Sequence, residues 1–280
     1  MIPAGQIEVR LARTPAEVDA AQRLRYRVFY EEWGARPDLR MRQKQRDIDS
    51  YDALVDHLVV IDHNRSASQG QVVGNYRLLR RDRLGIDGRF YSSSEFEIGM
   101  LLDSGQTLLE LGRSCVLREY RSLQILQLLW RAIAGYVADH GIQVMFGCAS
   151  MRGTDPHNLR EQLAYLHHYH RAPLPMRPHA LGPTRIDMDV MDKALIDPMG
   201  AKMLLEPLIK GYLRLGAHVG EGAFVDHQFN AVDVCIVMPT AQLTRKYRRH
   251  YDRVIQRQLL GQTTHWVPDE ADDPRLVATA

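Results

Sequence analysis

The sequence predicts a mixed α/β or α+β domain. Segments with the 3.6-residue apolar repeat of helices interleave with short apolar or alternating runs of strand length, an order that favours one sheet with packed helices over a barrel or a bundle. No internal repeat or low-complexity tract interrupts that order. Hydrophobic residues make up 45% and charged residues 25%, ordinary globular values that exclude a wholly disordered chain.

Residues 7–12 alternate as a first strand. Thr14 then offers an N-cap hydroxyl, Pro15 suits the first helical position and Glu17 the third, so a helix starts there. It runs to about Trp33, and Gly34 ends it. Residues 35–52 are polar, with charges of both signs, and read as a long mobile loop; such loops in compact domains commonly act as lids. Residues 54–61 and 71–80 read as partner strands across a polar turn, with Gly74 marking a bulge or a close approach of two backbones. Residues 107–117 form another strand. Residues 122–140 form the clearest helix: Leu123, Leu126, Trp130, Ile133, Ala134 and Val137 share one face, and Gly141 ends it. Residues 142–149 are almost wholly apolar, as in a central strand. Asp155 and Pro156 open a helix to about His168, after which Pro173, Pro175 and Pro178 impose irregular chain. Residues 199–215 make a helix broken near Pro207, and residues 232–237 a late strand ended by Pro239. Residues 240–260 carry a basic amphipathic helix. One domain is expected over residues 1–260, with a polar tail over 261–280.

The net charge of +2 creates no global field, and no nucleic-acid partner is expected. The cations are mostly arginine, which suits carboxylate or phosphate partners. Cys115, Cys148 and Cys235 each sit in an apolar run with no CxxC pair, so they read as buried free thiols rather than disulfides or metal ligands. The N-terminus lacks a signal-peptide pattern, and no apolar run reaches the roughly 18–20 residues of a spanning helix. A cytoplasmic chain, soluble or resting on a membrane surface, is expected.

Four polar groups interrupt apolar contexts. Arg23, Arg25 and Arg27 lie on the first helix beside Phe29 and Tyr30. Asp47, Asp49 and Asp52 close the polar loop with Tyr51. Arg77 lies within the strand GNYRLLR, and Glu110 with Arg113 within LLELGRSCV. A glutamate in so apolar a strand is costly to bury unpaired. It reads either as half of an ion pair with Arg77 or Arg113 that joins two strands, or as a carboxylate that moves protons or binds an amine. A regular strand puts Glu110 and Arg113 on opposite faces; a bulge at Gly112 would put them on one.

These stretches resemble the ornithine N-acyltransferases of bacterial ornithine-lipid synthesis, often called hemolysin-like, within the GNAT-like superfamily. The resemblance covers roughly residues 10–253. It is carried by LRYRVFYEE from Leu24, DIDSYDALVDHLVV from Asp47, VVGNYRLLR from Val72, LLELGRSCV from Leu108 and, most specifically, KGYLRLGAHVGEGAFVDHQFNAVDV from Lys210. The N-terminal half also resembles the acyl-homoserine lactone synthases, at Arg27, Asp49, Asp52, Arg77, Glu110 and Arg113.

The resemblance implies a GNAT-like, mixed but mostly antiparallel sheet with flanking helices. It implies transfer of a fatty acyl group, 3-hydroxylated or not, from a thioester to the α-amino group of an amino acid, ornithine first among candidates. Glu110 would be the general base, with Arg113 and Arg77 orienting it or the acceptor carboxylate. Arg27, Asp49, Asp52, Phe29 and Asn230 would bind substrate, the two aspartates attracting the amine. Coenzyme A enzymes of this superfamily follow the central strand with Arg/Gln-x-x-Gly-x-Gly/Ala; here Arg118 to Leu123 lacks both small residues. A phosphopantetheine arm on an acidic acyl carrier protein therefore fits better, with Arg118 and Arg121 as its contacts and no tightly bound cofactor. Lactone-forming signal synthesis and a non-catalytic carrier- or membrane-binding module are the alternatives. The basic helix over 240–260 could rest on anionic lipid or simply face solvent.

Other signals weigh less. His57 and Asp62 have an acyltransferase-like spacing, but five residues apart on a strand they point to opposite faces. His167, His168 and His170 have no acidic partner at a metal-site spacing and read as surface or carrier-facing groups. Cys115 and Cys148 lack a nearby histidine or helix start that would make a thiolate.

Overall fold

The structure, a computed structural model, describes residues 6–66, 70–85 and 88–241. The predicted basic helix, beyond its first two residues, and the polar tail lie outside the described residues.

The elements follow the sequence closely. After β1 (Ile7–Leu11), the Thr14 side chain accepts from the Glu17 amide and starts α1 (Pro15–Tyr26). α1 continues into one wider π-helical stretch, Arg27–Glu32, and Gly34 leaves it with φ +79°, a left-handed conformation that suits glycine. The segment read as a mobile loop is instead built. It folds α2 (Leu39–Lys44), capped by Asp38, and a 3-10 turn, Ser50–Ala53, closed by a capping box of Asp49 and Asp52. β2 (Asp56–Asp62) and β3 (Val72–Arg80) pair antiparallel, and a Cβ on Gly74 would stand 2.8 Å from the Val60 side chain, the close approach expected there. β4 (Phe96–Glu97), α3 (Gly99–Leu102) and β5 (Leu108–Val116) come next. The Ser122 side chain caps α4 (Leu123–Asp139), which leads to β6 (Val144–Arg152). α5 (Arg160–His170), β7 (His179–Ala180) and β8 (Arg185–Ile186) follow. Pro207 splits the next helical stretch into α6 (Pro198–Leu204) and α7 (Pro207–Arg214). β9 (His218–Val219), β10 (Ala223–Asp226) and β11 (Ala231–Pro239) end the described chain.

Among the described residues, nine strands form one sheet in the order β1-β2-β3-β5-β6-β11-β10-β8, with β9 added on β11. Its pairs are antiparallel except β5 with β6, and α4 is the crossover that such a parallel pair needs. The sheet therefore has the mixed, mostly antiparallel character expected. β4 and β7 form a separate small ribbon.

Alternate residues feed different cores. Val144 and Phe146 of β6, with Cys235 and Val237 of β11, join Phe90, Phe96 and Leu101. Met145, Ala149, Val234, Ile236 and Met238 join the larger core with α1, α4 and α5. That period of two explains why these central strands are apolar throughout. One residue past the last paired positions of β5 and β6, Gly147 permits a close approach: a Cβ there would meet the Leu111 carbonyl oxygen at 2.2 Å. Gly147→Ala should cost about 1–3 kcal/mol through overpacking against backbone, read as a lower urea midpoint at unchanged slope. An unchanged midpoint would mean the two strands can part freely.

Candidate active site

The parallel pair ends at Glu110 opposite Phe146, and the two strands separate beyond that point. β5 there carries a bulge, since Arg113 and Ser114 together oppose the single residue Tyr76 of β3. Arg113 takes φ +49°, and the Asn75 side-chain amide donates to its carbonyl at 3.1 Å. The bulge expected at Gly112 thus falls one residue later, and it brings Glu110 and Arg113 to the wall of one cavity. That cavity holds about 640 Å³, within the range for one small-molecule ligand. α4 and α7 supply apolar wall, including Leu126, Leu129 and Leu208, while β5, β6 and β11 supply Glu110, Arg113, Ser150 and Asp233.

Glu110 is buried and lines the cavity, and it forms no ion pair with Arg77 or Arg113, the first of its two readings. Its two oxygens accept instead from backbone amides, Tyr91 N at 2.9 Å and Ser92 N at 2.6 Å. Burial raises its pKa against the lowering pull of those bonds. The Ser92 side chain adds a further bond, and a carboxylate with about four acceptor sites still has room for another donor. Glu110 is therefore a fixed carboxylate of raised basicity at the cavity wall.

The arginines pair with the loop acids. Arg77 meets Asp49 at 2.6 Å and Asp52 at 3.4 Å; Arg113 meets Asp47 at 3.3 Å and Asp49 at 3.4 Å. The helix arginine in this network is Arg25, not Arg27. Arg25 is fully buried and bonds Asp47 and Asp52, each at 2.7 Å, whereas Arg27 is exposed and does not line this cavity. The signal was present: Ala21, Leu24, Arg25 and Val28 follow the i, i+3, i+4, i+7 rule for a buried face. Three arginines thus balance three aspartates. Asp49 and Asp52 do not line the cavity, and both are paired with arginines. Arg77 and Arg113 do line it.

Phe29 lines the cavity edge-on to Phe229, which in turn stacks under the Arg113 guanidinium at 4.4 Å. Asn230 does not face the cavity. It is an exposed turn residue at φ +53°, a conformation asparagine tolerates, and its carbonyl accepts from Gly153. Its neighbour Phe229 lines the cavity instead. Arg121 lines the cavity beside the start of α4 and is clamped by Glu32 at 2.6 and 2.7 Å; Arg118, largely exposed, reaches the same glutamate at 3.3 Å.

The weaker signals resolve in different ways. His57 bonds the Asp52 carbonyl while Asp62 accepts from Tyr120, so the two do not meet. Cys115 and Cys148 line the cavity as free thiols, and burial pushes Cys115 up to about 12 and Cys148 well above its ordinary value, which disfavours a thiolate. His167 is buried rather than surface-facing, and the fold brings Asp189 within reach of both His167 and His168, an acidic partner that local spacing does not reveal.

A further acidic group belongs to the site; the sequence singles out Asp226, in the polar loop before the last strand, as a pocket or structural loop residue, but not Glu95 or Asp233. Glu95, Asp226 and Asp233 come from three separate segments, are all buried, and hold carboxylate oxygens within 4.8 Å of one another. Asp226 and Asp233 line the cavity. Each acid alone looks like an ordinary loop or strand residue, so no local pattern marks them as a group.

The sheet, the separated parallel pair and the cavity between its strands define an acyltransferase of the GNAT type, and an acetyltransferase (GNAT) domain model matches residues 24–131. The L-ornithine N(alpha)-acyltransferase of Rhodobacter capsulatus is 45% identical over 89% of this chain and 96% of its own length. The L-ornithine N(alpha)-acyltransferase of Rhizobium meliloti is 46% identical over 88% of this chain and 84% of its own length. The chain belongs to this L-ornithine N(alpha)-acyltransferase family. Among solved structures, FeeM, an N-acyl amino acid synthase from uncultured soil microbes, is similar at 12% identity, covering 87% of this chain and 93% of that one, with a TM-score of 0.47. So distant a likeness bears on neither activity nor substrate.

Proposed function

We propose that the protein moves a fatty acyl group from an acyl carrier protein thioester to the α-amino group of ornithine, giving an N-acyl amino acid. The observation that carries this reading is the cavity itself: an opening between diverging parallel strands that joins apolar wall from α4 and α7 to a fixed carboxylate and two arginines. The kinship with ornithine acyltransferases supports the acceptor.

In this reading the free amine attacks the thioester carbonyl carbon. Glu110 takes the proton that the nitrogen sheds, directly or through a water. The carbonyl oxygen gains negative charge, which backbone amides on the separated strand edges would stabilise. The C–S bond then breaks, and the thiolate takes a proton to leave as a free carrier thiol. No acyl-enzyme is needed, in keeping with the raised pKa of both cavity thiols. Arg77 and Arg113 would receive the acceptor carboxylate at the cavity wall. The cytoplasm is the compartment this reading implies, with contact to an anionic membrane surface through the basic segment after residue 240.

Incubation with acyl carrier thioester and ornithine, lysine, glutamine, glycine or S-adenosylmethionine, followed by mass measurement, tests the acceptor. N-acylornithine is the expected product, and a lactone from S-adenosylmethionine would replace this reading. The donor has its own test. Reversing Arg118 and Arg121 to glutamate should raise the KM for the carrier thioester by about tenfold, through weakened charge complementarity, with a smaller effect on an acyl-pantetheine. Equal effects on both donors would remove the carrier assignment.

A further inference from the structure

Glu95, Asp226 and Asp233 form a built but unbalanced cluster. Glu95 follows the Tyr91–Ser94 turn that Glu110 holds. Asp233 stands on β11 opposite Ser150 of β6, and Asp226 ends β10. Glu95 and Asp233 are 4% and 3% exposed, so each is more than nine-tenths buried. One oxygen of each, Glu95 Oε2 and Asp233 Oδ1, has no hydrogen-bond partner. Among the described residues no lysine, arginine or histidine forms an ion pair with any of the three; the nearby Arg113 is committed to Asp47 and Asp49. Burial, with Asp233 beside it, pushes the Glu95 carboxyl up to about 9. Burial and Asp226 push Asp233 up to about 6.

Unpaired acids at this depth are costly, and proteins rarely keep them without a cation to receive. The Asp47, Asp49 and Asp52 network a short way off shows the contrast, since there every acid has its arginine. We propose that Glu95, Asp226 and Asp233 bind the side-chain ammonium of a dibasic acceptor amino acid and so set the enzyme's preference for such acceptors. The inference rests on the amino acid acyltransferase reading above and adds a subsite to it.

Donor count favours an organic ammonium. A primary ammonium offers three N–H donors, one for each acid. Charge-assisted bonds of about 2.8 Å to three tetrahedrally placed oxygens hold those oxygens about 4.6 Å apart. The observed oxygens all lie within 4.8 Å of one another, so one ammonium can reach all three. Asp226 and Asp233 open directly on the cavity, so an acceptor inside it reaches them without rearrangement. Neutral acceptors leave the acids unpaired and gain nothing there.

The test compares ornithine with norvaline, the same skeleton without the side-chain amine. Wild-type enzyme should prefer ornithine, and Glu95→Gln or Asp233→Asn should reduce the ornithine-to-norvaline ratio of kcat/KM by about 10–100-fold, chiefly through the KM for ornithine. Thermal melting supplies a second readout that a purely structural role would not give. Without ligand both variants should melt no lower than wild type, because each amide fills the same space and replaces a buried acid that has no cationic partner among the described residues. Ornithine should stabilise wild type more than norvaline does, and the variants should lose that difference. If wild type acylates ornithine yet the variants keep its preference, the subsite is overturned and the acyltransferase reading stands. Stabilisation of wild type by magnesium or calcium, abolished in Asp233→Asn, would overturn it in favour of a metal. If no amino acid is acylated, both proposals fall.

Discussion

Glu110→Gln should lower kcat by about 10²–10⁴-fold while the affinity for an acyl-pantetheine changes little. The expectation follows from geometry as much as from charge. Glu110 is locked in place by the Tyr91 and Ser92 amides, and its burial raises its basicity where an amine must lose a proton. Glutamine fills the same space but cannot take that proton. It also brings a structural cost. Its single carbonyl oxygen can accept from one of the two backbone amides, and its NH2 group then faces the other. A loss of about 1–3 kcal/mol of stability should accompany the loss of rate. The two effects separate by measurement, since denaturant unfolding reads the first and single-turnover amide formation by folded enzyme reads the second. A variant that is less stable yet turns over at the wild-type rate would reduce Glu110 to an anchor for the Tyr91–Ser94 turn, and the general base would have to be sought elsewhere in the cavity.

Arg25→Met should be the most destabilising single change in the network, at about 3–5 kcal/mol, because it leaves two buried aspartates short of a partner. Arg25 makes bonds of 2.7 Å to Asp47 Oδ2, to the Asp47 carbonyl and to Asp52 Oδ1, and it has no exposure through which water could substitute. The effect should depend on pH. Burial alone would raise the Asp47 pKa, but the Arg113 and Arg25 guanidinium groups overcome it and hold the carboxyl at about 2, below its ordinary 3.8. An acid with a depressed pKa stabilises the fold above its unfolded value, and that contribution is lost as pH falls toward the folded one. In Arg25→Met the loss should begin at higher pH. Urea unfolding at pH 7 and at pH 3 should therefore show the variant and wild type closer together in acid. A constant gap would mean that Asp47 finds another partner. Because Arg77 and Arg113 are aimed by the same acids, the variant should also raise the acceptor KM.

Local chemistry was sufficient for much of the fold. Thr14, Ser122 and the Pro-interrupted helix near Pro207 mark element ends through bonds within a few residues, so they can be read along the chain. The apolar runs of the central strands report burial on two faces, and that too is a local property. Glu110 stood out for the same reason, being a charge in a strand that otherwise buries everything.

What tertiary structure alone decided was pairing. Residues 35–52 have the composition of a free loop, yet their acids are pinned by Arg25, Arg77 and Arg113 from a helix and two strands. Whether Glu110 meets an arginine stood open in the sequence; it meets the backbone amides of Tyr91 and Ser92, 19 and 18 residues before it. Asn230 was expected in the cavity, but a left-handed turn points its neighbour Phe229 there. Glu95 joins Asp226 and Asp233 from more than a hundred residues earlier in the chain. A periodicity tells which face of its own element a side chain occupies, and that is why Arg25 could have been chosen over Arg27. It carries nothing about which distant element will face it, because that is set by sheet order, by the bulge at Arg113 and by where the parallel strands part.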